Sequence, residues 1–318
     1  MALQNKTIEH IMAQNDSTDG KLPLYNIDTI DSYNKLYGFE TLHPLVSVVD
    51  FNEATKKTGH ARFKYGIYSM WLKHGQVCTI KYGRKTYDYQ EGTIVSMAPG
   101  QVVEVDSSNV PVSHDVQGLL FHPDLIFGTT LGRHIGDYHF FDYDSAEALH
   151  LSSREQQMII DTFNSIKFEL QMPVDHHSQT LIVDRVKLVL DYCMRFYDRQ
   201  FYTRHKQNSD VLANFEANIN QYFKEGNGEK NGFPAVSYFA DMACLSPGYF
   251  GDLIRKETGQ SAQQYIQQKI VALSKQLVLE NSLTMSQISD YLGFQYPQHF
   301  SRFFKRHVGV SPKEYRNS

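Results

Sequence analysis

The spacing of apolar positions changes period partway along the chain. From about Lys21 to Leu151 apolar residues come in short runs: Phe63 to Leu72, Val77 to Tyr82, Gly92 to Ala98, Val102 to Val105 and Gly118 to Phe121. Gly66, Gly75, Gly83, Gly92, Pro99-Gly100 and Gly118 punctuate them. Aromatic and β-branched runs bounded by glycine and proline predict strands, and short strands at this spacing predict a sandwich or small barrel. From Ser152 the period becomes helical. Ser152 to Gln171 and Ser178 to about His205 predict two helices with Pro173 between them.

The second of these helices has a wide apolar stripe. Leu181, Arg185, Leu188 and Tyr192 share one side, and Ile182, Val186, Val189 and Cys193 share the adjacent side. So broad a surface calls for two partners, such as the β domain and a second subunit; the alternative is packing on its own domain alone. Polar Lys206 to Ser209 leads to a further helix from about Asp210 to Lys224, and Glu225 to Gly232 reads as a flexible loop. The expected domains are therefore residues 1–205 and 210–318.

The last seventy or so residues repeat a pattern fifty positions apart. Phe250, Leu253, Ile254, Arg255, Lys256, Gly259, Ser261 and Tyr265 return as Phe300, Phe303, Phe304, Lys305, Arg306, Gly309, Ser311 and Tyr315. In the first copy Val236, Phe239, Ala240 and Ala243 form one buried helical face, Cys244-Leu245 the turn, and Ser246-Pro247 the start of the next helix. In the second, Ile288 and Leu292 face inward, Gly293 turns, and Pro297 opens the next helix. Each copy predicts a helix-turn-helix, about 236–257 and about 285–307. A helix from Ser261 to Leu279, roughly 28 Å long at 1.5 Å per residue, separates them. Two such units can reach neighbouring stretches of one DNA groove.

Charge sharpens this picture. The chain has 31 Lys+Arg against 35 Asp+Glu, a net of -4, but from Asp210 onward the balance is +1. Between Gln295 and Arg316 there are five basic residues and one acid, and a local basic stripe is a better footprint of nucleic-acid binding than the whole-chain charge. Cys78, Cys193 and Cys244 form no disulfide framework, Met1 to Lys21 lacks the apolar stretch of a signal peptide, and no run approaches a membrane span. The expectation is a cytoplasmic protein with no membrane partner.

The segments FADMACLSPGYFGDLIRKETGQSAQQYI and ISDYLGFQYPQHFSRFFKRHVGVSPKEYR make the region from about Asp210 to Arg316 resemble the AraC/XylS-type DNA-binding domain. YGRKTYDYQEGTIVSMAPGQVVEV, LLFHPDLI and HFFDYDSAEALHLSSREQ are similar, more diffusely, to the cupin-like regulatory domain often joined to it. The resemblance implies an α+β chain: a β-rich cupin-like sandwich or barrel with a helical dimerisation segment, then an all-α double helix-turn-helix domain. It implies an effector-responsive activator that binds double-stranded promoter DNA as a homodimer and works with RNA polymerase. A small-molecule binder whose C-terminal helices contact proteins is the competing expectation.

Outward positions of the second unit supply the reading groups. Gln298, His299, Ser301 and Arg302 are the base-contact candidates, since Gln suits adenine and Arg suits guanine, and they match the positions that the family uses. Lys305, Arg306, Lys313 and Arg316, with Arg255, Lys256 and Tyr249 of the first unit, are phosphate candidates. The first unit departs from the pattern: Gln298, Ser301 and Arg302 correspond to Gly248, Gly251 and Asp252. Cys244 stands where the family has glycine and reads as a small buried hydrophobe. Lys269, where the family often has arginine, either touches phosphate or braces the two units.

Fourteen histidines invite a metal, but no HxH pair or other ligand spacing is present, and none of the common catalytic motifs occurs. No enzyme activity, metal or cofactor is expected. Tyr65, Tyr68, Trp71, Tyr82 and Tyr87 are candidates to line a pocket in the β domain, because aromatic walls suit sugars and ring compounds; they serve equally as core packing.

Overall fold

The computed structural model describes residues 22–73, 79–82, 85–86, 92–112, 114–144, 147–203, 205–280 and 282–317. The chain divides into two compact units between Gln200 and Phe201.

Among the described residues the first unit holds ten strands: β1 (Leu24–Ile27), β2 (Val46–Asp50), β3 (His60–Tyr65), β4 (Tyr68–Lys73), β5 (Thr79–Tyr82), β6 (Lys85–Thr86), β7 (Thr93–Met97), β8 (Val102–Asp106), β9 (Val116–Phe121) and β10 (Leu149–His150). They form two five-stranded sheets, ordered β1-β3-β8-β5-β6 and β10-β7-β4-β9-β2. Every pairing is antiparallel except β1 with β3. The run Phe63 to Leu72 is thus two strands, broken at Gly66-Ile67. A Cβ on Gly66 would lie 2.8 Å from Asp28 Oδ1, so the bend is made where the backbone comes close to a neighbouring segment. Of the run Val77 to Tyr82, residues 77 and 78 lie outside the described residues.

Several elements lie outside the expected runs, among them β1, β2 and helix α1 (Ile30–Tyr37). The helix opens with a capping box between Thr29 and Ser32. It buries Ile30 and Tyr33 in a core shared with Ile27, Phe63, Trp71 and Leu120. Two short helices, α2 (Pro123–Ile126) and α3 (Thr130–His134), follow β9.

Helix α4 (Ser153–Leu170) starts at a Ser152–Glu155 capping box, and α5 (Ser178–Thr203) follows. Ile182, Val186, Val189 and Cys193 are at most 2% exposed, whereas Leu181 and Leu188 are 41% and 42% exposed. The wide stripe therefore resolves into one face in the core and one facing out. Arg199 ties α5 back to the sheet region, bonding Glu155 at 2.9 Å and the His150 carbonyl at 2.6 Å.

The second unit contains α6 (His205–Lys224), α7 (Asn227–Asn231), α8 (Val236–Met242), α9 (Pro247–Thr258), α10 (Ala262–Leu279), α11 (Met285–Tyr291), α12 (Pro297–Val308) and α13 (Pro312–Arg316). The fifty-residue repeat is physical. Gly259 and Gly309 both end their helices in the left-handed region, and Ser261 and Ser311 both open the next helix with a capping box. Phe250, Ile254, Phe300 and Phe304 are each 0% exposed.

The stretch Glu225 to Gly232, expected to be a loop, contains α7. One of its glycines serves close contact, since a Cβ on Gly228 would lie 2.1 Å from the Tyr291 carbonyl oxygen; a Cβ on Gly293, in the turn after α11, would lie 2.4 Å from the Gly232 carbonyl carbon. Composition alone cannot separate a glycine that loosens a loop from one that lets two backbones touch. Here the glycines fasten α7 to the turn after α11.

Candidate nucleic-acid interface

Helix α12 is built with two opposed faces. Phe300 and Phe304 stand one turn apart and are fully buried, with ring centroids 5.8 Å apart. Phe300 also packs on Phe294 of the turn at 5.6 Å. The other face carries Gln298, His299, Arg302, Lys305 and Arg306, all exposed. Ser301 is partly exposed, and its hydroxyl donates to the Pro297 carbonyl at 3.0 Å, the usual back-bond of a helical serine. Gln298, Ser301, Arg302 and Lys313 border one concave surface together with Met285 and Pro312, so α13 adds a cation beside the first turns of α12.

Two phosphate candidates are withdrawn by their packing. Tyr249 is only 5% exposed, and its ring lies 4.8 Å from that of Phe201. Arg316 donates from Nε to the Val278 carbonyl at 2.7 Å and from Nη2 to the Leu283 carbonyl at 2.9 Å. It satisfies carbonyls at and beyond the end of α10, a role that only the folded arrangement reveals. Arg255, Lys256 and Lys313 remain exposed.

The first unit presents little to read with. Gly248 and Asp252 are partly exposed, and a Cβ on Gly251 would meet nothing within 4 Å. Its turn differs too. Cys244 is exposed rather than buried, and it adopts φ 56, the one positive φ outside glycine among the described residues. The turn between α8 and α9 requires that conformation, and a side chain there costs about 1–2 kcal/mol. Gly293 makes the equivalent turn of the second unit at φ 81.

Lys269 is a brace. Its ammonium lies 3.1 Å from Glu216 and 5.3 Å from the Tyr265 ring centre, and Tyr265 donates its hydroxyl to the same carboxylate. The Tyr265 hydroxyl and the ammonium hold the Glu216 carboxyl below its usual range. This cluster joins α6 to α10, whose buried stripe Ile266, Ile270, Ser274 and Val278 runs along the spacer between the two units.

In the first unit of the chain, Tyr65 and Trp71 line a cleft in the β region with Tyr33, Tyr37, Phe51 and His114. Tyr68 does not: it stacks on Phe121 at 4.9 Å and meets Phe141 edge-on at 5.0 Å. Only the backbone of Tyr82 is described, and Tyr87 lies outside the described residues. Gly118 sits opposite Trp71 in the β4–β9 pairing, where a Cβ would come 2.2 Å from the indole. Glycine is thus what lets the indole lie flat on the sheet. The cleft also holds Lys56, Lys57 and Lys73, which sequence reading did not single out. Their spacing gives no signal until the strands are paired. Burial, aided by nearby Lys73, holds His114 below the ordinary imidazole value, although its Nδ1 lies 3.1 Å from the Pro111 and Val112 carbonyls. Among the described residues no group of three or more His, Cys, Asp or Glu is placed to hold a metal ion, and no helix is long and apolar enough to cross a membrane.

Comparison with known proteins bears on the C-terminal unit. Residues 239–318 match the family model described as a helix-turn-helix domain. The uncharacterized HTH-type transcriptional regulator YobQ of Bacillus subtilis is 31% identical over 83 residues, 26% of this chain and 34% of that protein. The HTH-type transcriptional activator RhaR of Escherichia coli is also 31% identical over 83 residues, 26% of this chain and 29% of that one. The chain thus matches about a third of the length of these relatives. Among solved structures, the C-terminal domain of the two-component response regulator yesN from Fusobacterium nucleatum is 27% identical, covering 32% of this chain and 98% of that one with a TM-score of 0.28. The repeated helix pairs of the C-terminal unit form a helix-turn-helix domain. More particularly, it is of the AraC type.

Proposed function

We propose that the chain is a sequence-specific DNA-binding regulator of transcription. One observation carries this above the rest. Gln298, His299, Arg302, Lys305 and Arg306 are exposed on a single helix whose opposite face is locked by fully buried Phe300 and Phe304. A rigid helix with base-reading groups near its start and cations near its end is the arrangement that major-groove docking requires. The second unit supplies most of the base reading. The first contributes Arg255, Lys256 and close backbone approach at Gly248 and Gly251. On resemblance, the protein is a cytoplasmic activator that works with RNA polymerase, and the β-rich unit senses a small molecule.

Selection of duplexes from a random pool by the full-length protein, followed by gel shift at several salt concentrations, tests this proposal. A recurrent sequence bound with steep salt dependence is expected. No enrichment, or binding indifferent to salt, defeats it.

The regulator is further proposed to act as a homodimer through the outer face of α5. Leu181 and Leu188 lie two turns apart and stay exposed, as does Phe168 of α4 at 63%. Sedimentation of the Leu181→Glu, Leu188→Glu double variant is expected to give monomer where the parent gives dimer, with helix content unchanged. An unaltered dimer places the interface elsewhere.

A further inference from the structure

The cleft in the β-rich unit carries a charge pattern that selects among ligands. Its lining residues include three lysines and one histidine, and no Asp, Glu, Asn or Gln among the described residues. Lys73 is 2% exposed, while Lys56 and Lys57 are exposed at the rim. Among the described residues the rim ammonium groups donate to the Lys35 and Ser108 carbonyls, each at 3.3 Å. Exposed bonds of that length are readily exchanged for a better acceptor.

The walls are rings. Trp71 lies 5.4 Å from Tyr33, and Phe51 meets Tyr37 at 4.9 Å and His114 at 4.6 Å, centroid to centroid. A neutral sugar is poorly served here. Its hydroxyls need acceptors as well as donors, and the side chains offer chiefly Ser107 and the tyrosine hydroxyls. A group with acceptors only, attached to a flat apolar body, matches both halves of the lining.

We propose that this cleft binds a small flat carboxylate, its ring against Trp71, Tyr33 and Phe51 and its charge among Lys56, Lys57 and Lys73. This deepens the sensing half of the function proposed above, yet its test needs no DNA. Trp71 is the only tryptophan in the chain, so its emission reports on the cleft directly.

Full-length protein is titrated at fixed ionic strength with benzoate, its neutral isostere benzamide, and glucose. Benzoate is expected to change Trp71 emission saturably, with an affinity about tenfold or more above benzamide, the worth of a charge-assisted hydrogen bond; glucose is expected to give no response. The Lys56→Gln, Lys57→Gln pair alters exposed residues and leaves the fold intact. It should weaken benzoate severalfold and leave benzamide unchanged, and Lys73→Met should weaken benzoate further. Equal binding of benzoate and benzamide, a saturable response to glucose, or no response to benzoate overturns the proposal. Failure here leaves DNA binding by the C-terminal unit untouched, and failure of duplex selection leaves a benzoate response standing.

Discussion

A chain carrying Gly293→Ala is expected to lose about 3 kcal/mol of stability in its C-terminal unit. Two effects add. A left-handed φ of 81 costs a side chain about 1–2 kcal/mol. The new Cβ would also sit 2.4 Å from the Gly232 carbonyl carbon and 2.7 Å from the Phe233 nitrogen. Those atoms are backbone, so nothing can swing aside, and overpacking of this kind costs about 1–3 kcal/mol. Urea unfolding followed by far-ultraviolet circular dichroism measures the loss. Trp71 emission, which reports on the other unit, should move little. Gly251→Ala is the control: it lies inside α9 with open space around the added methyl, so it should gain roughly 0.5–1 kcal/mol. If Gly293→Ala melts with the parent, the glycine contact between α7 and the turn after α11 is wrong.

The second large effect is on DNA. On the selected duplex, Arg302→Ala is expected to cost about 1–3 kcal/mol and to relax preference at one base pair. Lys305→Ala and Arg306→Ala should instead weaken all sequences alike, each lowering the salt slope by about one. Removing all three should leave no specific complex at physiological salt. Competition gel shifts over a salt series separate the two behaviours. An Arg302→Ala protein with unchanged site preference removes this residue from base reading, and triple-variant binding at parental strength removes α12 from the interface. Arg316→Ala offers a contrast: it should lower stability more than DNA affinity, because its guanidinium is engaged by the Val278 and Leu283 carbonyls.

Much of the C-terminal unit was legible because its determinants are local. Helical periodicity, the Ser261 and Ser311 caps, the Gly259 and Gly309 stops and the fifty-residue repeat are all properties of neighbouring residues. The charge difference between the two copies is local as well, and the proposal that α12 does the reading starts from it. Helices α4 and α5 were legible for the same reason, and so were the strand runs that glycine interrupts.

Tertiary structure decided whatever depends on residues far apart in sequence. It split the stripe of α5 into a buried face and an exposed one, made Gly228 a contact point and the turn residue Gly293 one as well, and drew Tyr249 and Arg316 into packing. It also gathered Lys56, Lys57, Lys73 and His114 around Trp71, over which Gly118 leaves room. The physical reason is the range of the interactions. Backbone propensity and capping act within a few residues and are written in order along the chain. Burial, carbonyl satisfaction and the local potential of a cleft are sums over neighbours in space, and those neighbours exist only once the sheets and helices have met.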